Sequence, residues 1–565
     1  MTMAATYYNP GTGHWYQAIL VSGGTTWYDA QAAATASGGY LATITSSSEN
    51  EFVFSLIDTA PYWTELSVNW DRLGPWLGGY STSYGTWSWA VTGEPFEYTS
   101  WYGNQPDGYG GQPQAMQYYA AAGMGSTWGD SPPGGVGGFP LPTAYVAEFN
   151  QHPDPVSGTD GPDVLAGTEF DDYLAGLGGN DLLWAGEGSD VLDAGAGDDE
   201  LVVLPWDGAD VLTGGDGIDF VSYQPSWSGV YVVLSQAAYG DSFTGIEGLT
   251  GSNFDDVLST GTAAGRLYGG MGNDVLVGGP SEDLLNGGYG DDYIYVTAND
   301  GADVIDGGPG YDILSYAGAN TSLSIDLATL YGDSVTGIEA VQGSLFGDVV
   351  TGTGGDDRID GNEGNDTINA GAGNDTILMR NWDGADQVNG GTGSDTVSYE
   401  IANTGMAVSL VTPAFGDTFT SVENLVGSKF GDVIVGDGNA NRLSGGSGND
   451  TLTGGGGADG FLFTVVANAL TNKDTITDFL SGSDRLEFSN TVFTGLGETF
   501  TEGQFWSGAG VTSAHDASDR IVYNTTTGAL YYDADGLGGV DAVQVAVLGS
   551  TSHPALVYSD IGVIA

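Results

Sequence analysis

The stretch from Asp172 to Leu201 reads DYLAGLGGNDLLWAGEGSDVLDAGAGDDEL, and three regularities run through it together. Aspartate returns every nine residues, at Asp172, Asp181, Asp190 and Asp199. Glycine dominates the positions before each of them. An apolar residue, Leu174, Leu183, Leu192 or Leu201, stands two places after each. Nine residues is the period of a nonapeptide solenoid, in which no single turn can bury its own apolar side chain and stacked turns build one continuous core. The residue two places after each aspartate is therefore expected to point inward from a short strand.

The pattern extends in both directions. It starts at Asp163 and returns at Asp219, at Asp274, Asp283 and Asp292, at Asp312, at Asp348, Asp357, Asp366 and Asp375, at Asp395, at Asp432, and at Asp450 and Asp459. Leu165, Leu276, Leu285, Ile294, Val350, Ile359, Ile368, Ile377, Leu452 and Phe461 keep the inward place. A longer repeat overlies it: Asp219-Phe-Val-Ser-Tyr, Asp312-Ile-Leu-Ser-Tyr and Asp395-Thr-Val-Ser-Tyr each precede a stretch without the glycine motif. Each stretch ends in a similar segment, GDSFTGIEGLTGSNFDD from Gly240, GDSVTGIEAVQGSLFGD from Gly332 and GDTFTSVENLVGSKFGD from Gly416. Three super-repeats follow, with apolar alternation in Val230 to Leu234, Leu323 to Leu327 and Ala407 to Val411 marking strands.

Glycines before an aspartate, as in Gly270-Met-Gly-Asn-Asp274, permit the positive φ of a tight turn that directs backbone carbonyls inward beside one carboxylate. Hard oxygens in forgiving geometry suit calcium, which takes six to eight of them at about 2.3–2.6 Å, better than magnesium with its strict octahedron. Adjacent turns can share an ion, so that ion binding and folding become one event. The pattern resembles the RTX (repeat-in-toxin, hemolysin-type) calcium-binding nonapeptide over Gly158 to Phe461, and each of the eighteen aspartates named above is a candidate ligand. Gly265 and Asn441 stand where aspartate is expected. Eleven residues separate Asp199 from Asp210, Asp292 from Asp303 and Asp375 from Asp386, and those turns are expected to lack an ion or to hold it differently.

Composition agrees. The 565 residues carry 73 acidic and 9 basic side chains, a formal net charge of −64, which repels nucleic acid and attracts divalent cations. With 40% hydrophobic residues the chain has core material, provided its acids are neutralised. It has no cysteine, hence no disulfide and no thiolate site. Met1 to Pro10 show neither the basic nor the apolar region of a signal peptide, and no stretch reaches the roughly 18 apolar residues of a membrane span. Beyond Phe461, Asp474-Thr-Ile-Thr-Asp-Phe-Leu and Gly528-Ala-Leu-Tyr-Tyr-Asp-Ala-Asp-Gly536 resemble the C-terminal cap of RTX proteins. That resemblance implies an uncleaved export signal, type I secretion machinery as a partner, and an extracellular or cell-surface location on a bacterium. Asp533, Asp535 and Asp541 could form one more ion site or be solvated turn acids.

Nine of the fourteen tryptophans lie before residue 150, in a module of another kind. Gly39-Tyr-Leu-Ala-Thr-Ile-Thr-Ser-Ser-Ser-Glu-Asn50, Trp76-Leu-Gly-Gly79, Gln105-Pro-Asp107, Trp128-Gly-Asp130 and Tyr145-Val-Ala-Glu-Phe149, in this order, resemble a C-type lectin-like domain. In that family the Gln105-Pro-Asp107 type of tripeptide, around a cis proline, offers two side-chain oxygens to a calcium whose shell a sugar's hydroxyls complete. Asp130 matches an acidic ligand, Gln112 or Gln114 stands where a further acid is usual, and Gly129 replaces the usual asparagine. Trp101 or Trp128 would stack on a sugar. The candidate ligand-binding residues are thus Gln105, Asp107, Gln112, Trp128 and Asp130. The family usually carries disulfides; here packed tryptophans must substitute.

The fold class expected is mostly β: an α+β C-type lectin-like domain (1–150), a linker (151–157), a calcium-bound parallel β-roll in three super-repeats (158–461) and a C-terminal β cap with the export signal (462–565). The four histidines make no His-Glu-x-x-His zinc helix, and no Gly-x-Ser-x-Gly elbow is present, so an enzyme is not expected. The function expected is a secreted, calcium-dependent binding protein whose lectin-like head recognises a glycan or surface protein from a calcium-folded stalk. The alternative is a structural protein that self-assembles into a surface layer, filament or matrix. Neither role calls for membrane insertion.

Overall fold

The computed structural model describes residues 6–65, 72–83, 86–92, 96–103, 105–106, 114–120, 126–134, 140–150, 152, 155–236, 238–297, 301–549 and 552–565. Two compact units divide the chain, residues 1–259 and 260–565, and the division falls inside the roll.

The first unit opens with a sheet in the order Thr6–Asn9, His14–Leu20, Ala144–Phe149, Arg72–Ser83, Gln114–Ala120, Thr127–Ser131. Its first and last segments run antiparallel, Trp15 opposite Phe149, so the module closes on itself. Two helices flank the sheet, α1 (Trp27–Ala36) and α2 (Ser47–Ser55). Each starts where a hydroxyl accepts an otherwise orphaned N–H: Thr26 from Asp29 and Ser46 from Glu49, both at 3.1 Å. Indole N–H groups tie loops where disulfides would be usual. Trp27 donates to the Leu77 carbonyl (2.7 Å), Trp76 to that of Thr25 (2.9 Å) and Trp63 to that of Ile57 (2.7 Å).

From Val156 onward, two parallel sheets face each other. Most strands are three residues long, and their middle residue is buried. In one sheet Leu165, Leu183, Leu201, Val221 and Leu249 stack in register; in the other, Leu174, Leu192, Leu212 and Phe243 do so. The residue two places after each repeat aspartate does point inward, and β-strands this short persist because each adds one apolar rung to a continuous column. The head seats on this first block: Tyr8 N–H donates to the Asp171 carboxylate at 2.6 Å, and Tyr173 and Val191 pack against the cluster of Trp15, Trp27 and Phe149.

In the second unit the longest column runs Leu276, Ile294, Leu314, Val341, Ile359, Ile377, Val397, Leu425, Leu443, Phe461, Leu486, Ile561. Opposite it lie a column through Leu267, Leu285, Ile305 and Val335, another through Ile325, Val350, Ile368, Val388 and Phe419, and a third through Val408, Ile434, Leu452, Ile476 and Leu548. The cap extends the roll with the antiparallel strands Ile521–Asn524, Ala529–Tyr532 and Val543–Leu548.

Candidate functional site

One hydrogen bond sets the geometry of every rung. The backbone N–H of a repeat aspartate donates to a carboxylate oxygen of the acid one coil later, in most rungs Oδ1 of an aspartate. Asp163 donates to Asp181 (2.8 Å), Asp181 to Asp199 (2.7 Å), Asp172 to Asp190 (2.7 Å), Asp348 to Asp366 (2.7 Å) and Asp432 to Asp450 (2.8 Å), each across 18 residues. That interaction fixes the carboxylate and leaves its other oxygen aimed into the turn. Oδ2 of Asp181, Asp190, Asp199, Asp219, Asp292, Asp312, Asp366, Asp375, Asp395 and Asp450 is buried and has no hydrogen-bond partner.

A buried carboxylate oxygen without a partner is costly, and the glycines show what the turn is shaped for. A Cβ on Gly176 would lie 2.3 Å from Asp181 Oδ2 and 2.4 Å from the Ala194 carbonyl oxygen. On Gly287 it would lie 2.2 Å from Asp292 Oδ2 and 2.6 Å from the Gly307 oxygen. Carboxylate and carbonyl oxygens from neighbouring coils thus face one small space from which side chains are barred. Among the described residues no three ladder carboxylates come within 4.8 Å of one another, so each ion would draw on carboxylates together with backbone carbonyls. These donors are all hard oxygens, and they fit calcium. Burial raises the carboxyl groups well above their ordinary value, Asp190 to about 9, Asp366 to about 7, Asp219 and Asp312 to about 6, with neighbouring aspartates adding repulsion. Groups so placed hold a proton or a cation.

In a second kind of rung the carboxylate meets a hydroxyl of its own turn. Thr168 donates its N–H (2.6 Å) and hydroxyl (2.8 Å) to Asp172 Oδ2. The same motif joins Thr159 to Asp163, Ser344 to Asp348, Thr353 to Asp357 and Ser428 to Asp432. Asp283 accepts the Gly279 N–H at 2.7 Å. Before Asp163, Asp172, Asp348, Asp357 and Asp432 a serine or threonine four residues earlier supplies N–H and O–H donors, whereas a glycine, Leu177 or Asn362 stands at that place before the bare oxygens, so these five expected ligands share their carboxylates with a hydroxyl. Asn441 likewise folds its own turn, accepting the Asp437 N–H (2.8 Å) and donating to the Glu423 carbonyl (3.0 Å). At Gly265 the ladder bond survives through the backbone, whose N–H donates to Asp283.

The eleven-residue steps do not break the ladder, nor do the long loops. Asp190 donates to Asp210 and Asp199 to Asp219 across 20 residues; Asp210 donates to Asp241 across 31. Asp283–Asp303–Asp333 and Asp366–Asp386–Asp417 repeat this, and Asp450–Asp474 and Asp459–Asp484 carry it into the cap. At three places glutamate takes over: Asp219, Asp312 and Asp395 donate to Glu247, Glu339 and Glu423. Counting nines set Asp210, Asp303 and Asp386 apart as irregular and passed over Asp241, Asp333, Asp417, Asp484 and the three glutamates. The acid followed two places on by an apolar residue would have found them, as in Asp210-Val-Leu212, Asp241-Ser-Phe243 and Glu423-Asn-Leu425.

In the head, the Gln105–Pro106 peptide is cis, and the Gln105 side-chain oxygen accepts the Asp130 N–H at 3.2 Å, so two of the expected ligand residues are neighbours. Asp107 and Gln112 lie outside the described residues. Trp128 is fully buried in the core, its indole N–H donating to Asn50 Oδ1 at 2.9 Å. With no open face it cannot stack on a sugar, which corrects that expectation; half-buried Trp101 packs on it at 5.8 Å. In the cap, Asp533 accepts the Gly536 N–H (2.9 Å) and Asp535 that of Gly539 (3.0 Å), both closing their own turns.

The model of the RTX calcium-binding nonapeptide repeat matches residues 157–201, 206–222, 250–314, 342–377, 382–398 and 426–461, and that of the C-type lectin domain matches residues 24–132. No curated protein matches the chain. Among solved structures, the head is similar to the carbohydrate-recognition domain of the mouse scavenger receptor C-type lectin (17% identity, 26% of this chain and 98% of that one, TM-score 0.20). It is also similar to human lithostathine (19%, 26% and 90%, 0.20) and to the C-type lectin CEL-I from Cucumaria echinata (21%, 24% and 89%, 0.18).

Proposed function

We propose that this chain, which carries RTX calcium-binding repeats and a C-type lectin domain, is an exported binding protein whose roll is folded by calcium outside the cell and whose head holds a glycan or a surface protein. The row of buried, partnerless Oδ2 atoms facing glycine-lined turns carries this reading. At the low calcium of a cytosol, aspartates buried this way repel one another and keep the roll unfolded, a state suited to passage through a type I exporter. At extracellular calcium of about 10⁻⁴–10⁻³ M, ions bind only the folded turns and draw the equilibrium toward them. The Gly-[Ser/Thr] rungs, stable without metal, give each block a start on which calcium-dependent coils stack.

The head is seated on the first block rather than tethered to it, so ordering that block also orders the base of the lectin module. Far-UV circular dichroism of the full chain in chelator and in millimolar calcium tests the folding switch: full β-structure in chelator would sink it. A glycan array probed with and without calcium tests the head, and binding that ignores calcium would remove Gln105 and Asp130 from the ligand set. Ordered sheets or filaments by negative-stain microscopy would favour assembly over adhesion.

A further inference from the structure

Two of the three eleven-residue steps close on the same five residues, Trp206-Asp-Gly-Ala-Asp210 and Trp382-Asp-Gly-Ala-Asp386, and each turns its tryptophan outward. Trp206 is 68% and Trp382 79% exposed, although burial is what an indole ordinarily contributes to a fold. Both have left-handed backbone, φ 67° and 74°, where a bulky side chain is an outlier whose strain the surroundings must hold. A second aromatic ring from the following long loop, also at positive φ, does so. Tyr239 stands edge-on to Trp206 with ring centres 4.9 Å apart, and Phe415 edge-on to Trp382 at 5.1 Å. An exposed carboxylate accompanies each ring. Glu187, three residues before Asp190, and Glu363, three before Asp366, lie one coil below these turns, where Gly188 N–H donates to the Asp207 carbonyl (3.1 Å) and Gly364 N–H to the Asp383 carbonyl (2.6 Å).

The remaining step is a control that the chain itself supplies. Asn299 stands in sequence where the tryptophans stand and Pro280 where the glutamates stand. Asn299 lies outside the described residues, but the ladder runs on through its step, from Asp283 to Asp303 (2.9 Å) and from Asp303 to Asp333 (3.0 Å). A rung therefore needs neither the indole nor the carboxylate, and the two are present together or absent together. Asparagine is also among the few residues that left-handed backbone favours, so tryptophan occupies the other two corners against local preference.

We propose that each of these two corners binds a neutral saccharide chain, the indole stacking on the apolar face of one sugar ring and the glutamate accepting its hydroxyls. Charge and size select that occupant. A net charge of −64 repels acidic polymers and a second copy of the chain. Arg380, two residues before Trp382 and paired with Asp360, sets a cation in that turn and disfavours a basic ligand. A corner of two rings is far smaller than the roughly 1,000 Å² that a specific protein partner covers. One ring is the footprint of one sugar, and a polymer of like units offers that footprint to both corners. In the first unit Glu187 also lines a groove of about 480 Å³ with Trp184, Leu204 and Pro225, room for sugar units beyond the stacked one. These sites belong to the roll and need neither Gln105 nor Asp130 of the head.

Affinity electrophoresis of the full chain in calcium, through native gels holding neutral glucan, mannan or xylan, tests this. The natural protein is expected to be retarded by at least one of them. Trp206→Asn with Trp382→Asn, which installs the residue of the remaining step, is expected to keep the far-UV spectrum and to bind about tenfold or more weakly. Glu187→Gln with Glu363→Gln is expected to weaken binding with packing unchanged. No retardation in any gel, or equal retardation of the natural and Asn forms, overturns the proposal. So does loss of β-structure in the Asn form, which would give the tryptophans a folding role, and so does capture of a lysine-rich peptide at the corners in place of these polymers. Each form is run with and without Asp130→Ala, which silences the site expected in the head. Retardation that Asp130→Ala removes and the Asn pair spares belongs to the head and overturns the corners alone; retardation that the Asn pair removes supports them whether or not the head binds a glycan.

Discussion

Asp172 and Asp190 occupy successive rungs of one column, joined by the 2.7 Å bond from Asp172 N–H to Asp190 Oδ1, yet their second oxygens meet different surroundings. Asp190 is fully buried with Oδ2 bare; Asp172 has its Oδ2 held by Thr168 N–H and O–H at 2.6 and 2.8 Å. In Asp190→Asn the amide oxygen keeps the ladder bond, which turns the NH₂ group into the space facing the glycine-turn carbonyls. The rung loses one anionic ligand and gains a donor pointed at the cation. A loss of about ten- to a hundredfold in affinity for that ion is expected, roughly 1.4–2.8 kcal/mol. Without metal the same change replaces a carboxyl raised to about 9 by a neutral group, so it costs the calcium-free fold nothing and can favour it. In Asp172→Asn the amide oxygen can still accept from Thr168, so only the charge-assisted part of two hydrogen bonds is lost. That amounts to about 1 kcal/mol and is the same with or without calcium. The assay is the calcium midpoint of folding, followed by far-UV circular dichroism in calibrated calcium buffers, with urea melts at saturating calcium beside it. Asp190→Asn should move the midpoint to higher calcium, whereas Asp172→Asn should leave it in place and lower the urea midpoint. Equal shifts of the calcium midpoint in both variants would refute the division of rungs into two kinds.

Four further outcomes follow from the same geometry. Asp190, Asp210, Asp241, Asp366 and Asp417 are raised by burial to about 9, 8, 7, 7 and 7, so in chelator the folded roll binds more protons than the unfolded chain from about pH 4 upward. Its stability should fall as pH rises through that window, and circular dichroism in chelator should show more β-structure at pH 5 than at pH 8; the reverse order would contradict the burial argument. Gly176→Ala places a methyl 2.3 Å from Asp181 Oδ2, and a loss of about 1–3 kcal/mol together with at least one calcium ion is expected from melts and dialysis. Leu192→Ala, fully buried between Leu174 and Leu212, should cost about 2–5 kcal/mol in urea melts at saturating calcium. In the head, Trp128→Ala should lower the melting temperature through loss of about 3–5 kcal/mol of core packing, while Asp130→Ala should leave melting in place and abolish any calcium-dependent glycan binding.

The solenoid was legible because its period is a local property. A glycine-rich turn, an acid and an inward apolar residue fall within nine residues, so Asp181, Asp190 and Asp199 and their leucines could be placed by counting. The head was legible as a set of spaced fragments, though not residue by residue. Trp128 looks in sequence like a stacking platform, and only the convergence of Tyr118, Asn50 and Trp101 around it makes it core.

The sequence by itself determined the repeating unit, the inward column and the oxygen chemistry, because each depends on spacing within one turn. The tertiary structure decided which oxygens are left bare. The hydroxyl that meets Asp172 comes from Thr168 four residues earlier in the same turn, whereas the Ala194 carbonyl that faces the Gly176 turn comes from the next coil, so only the stacking shows that Asp181 Oδ2 is enclosed without a donor. It also decided that insertions of two or more residues are absorbed outward. The ladder bond and the apolar column hold from Asp190 to Asp210 to Asp241 while the intervening chain loops out, since a rung needs its acid and its apolar residue in place and nothing in between.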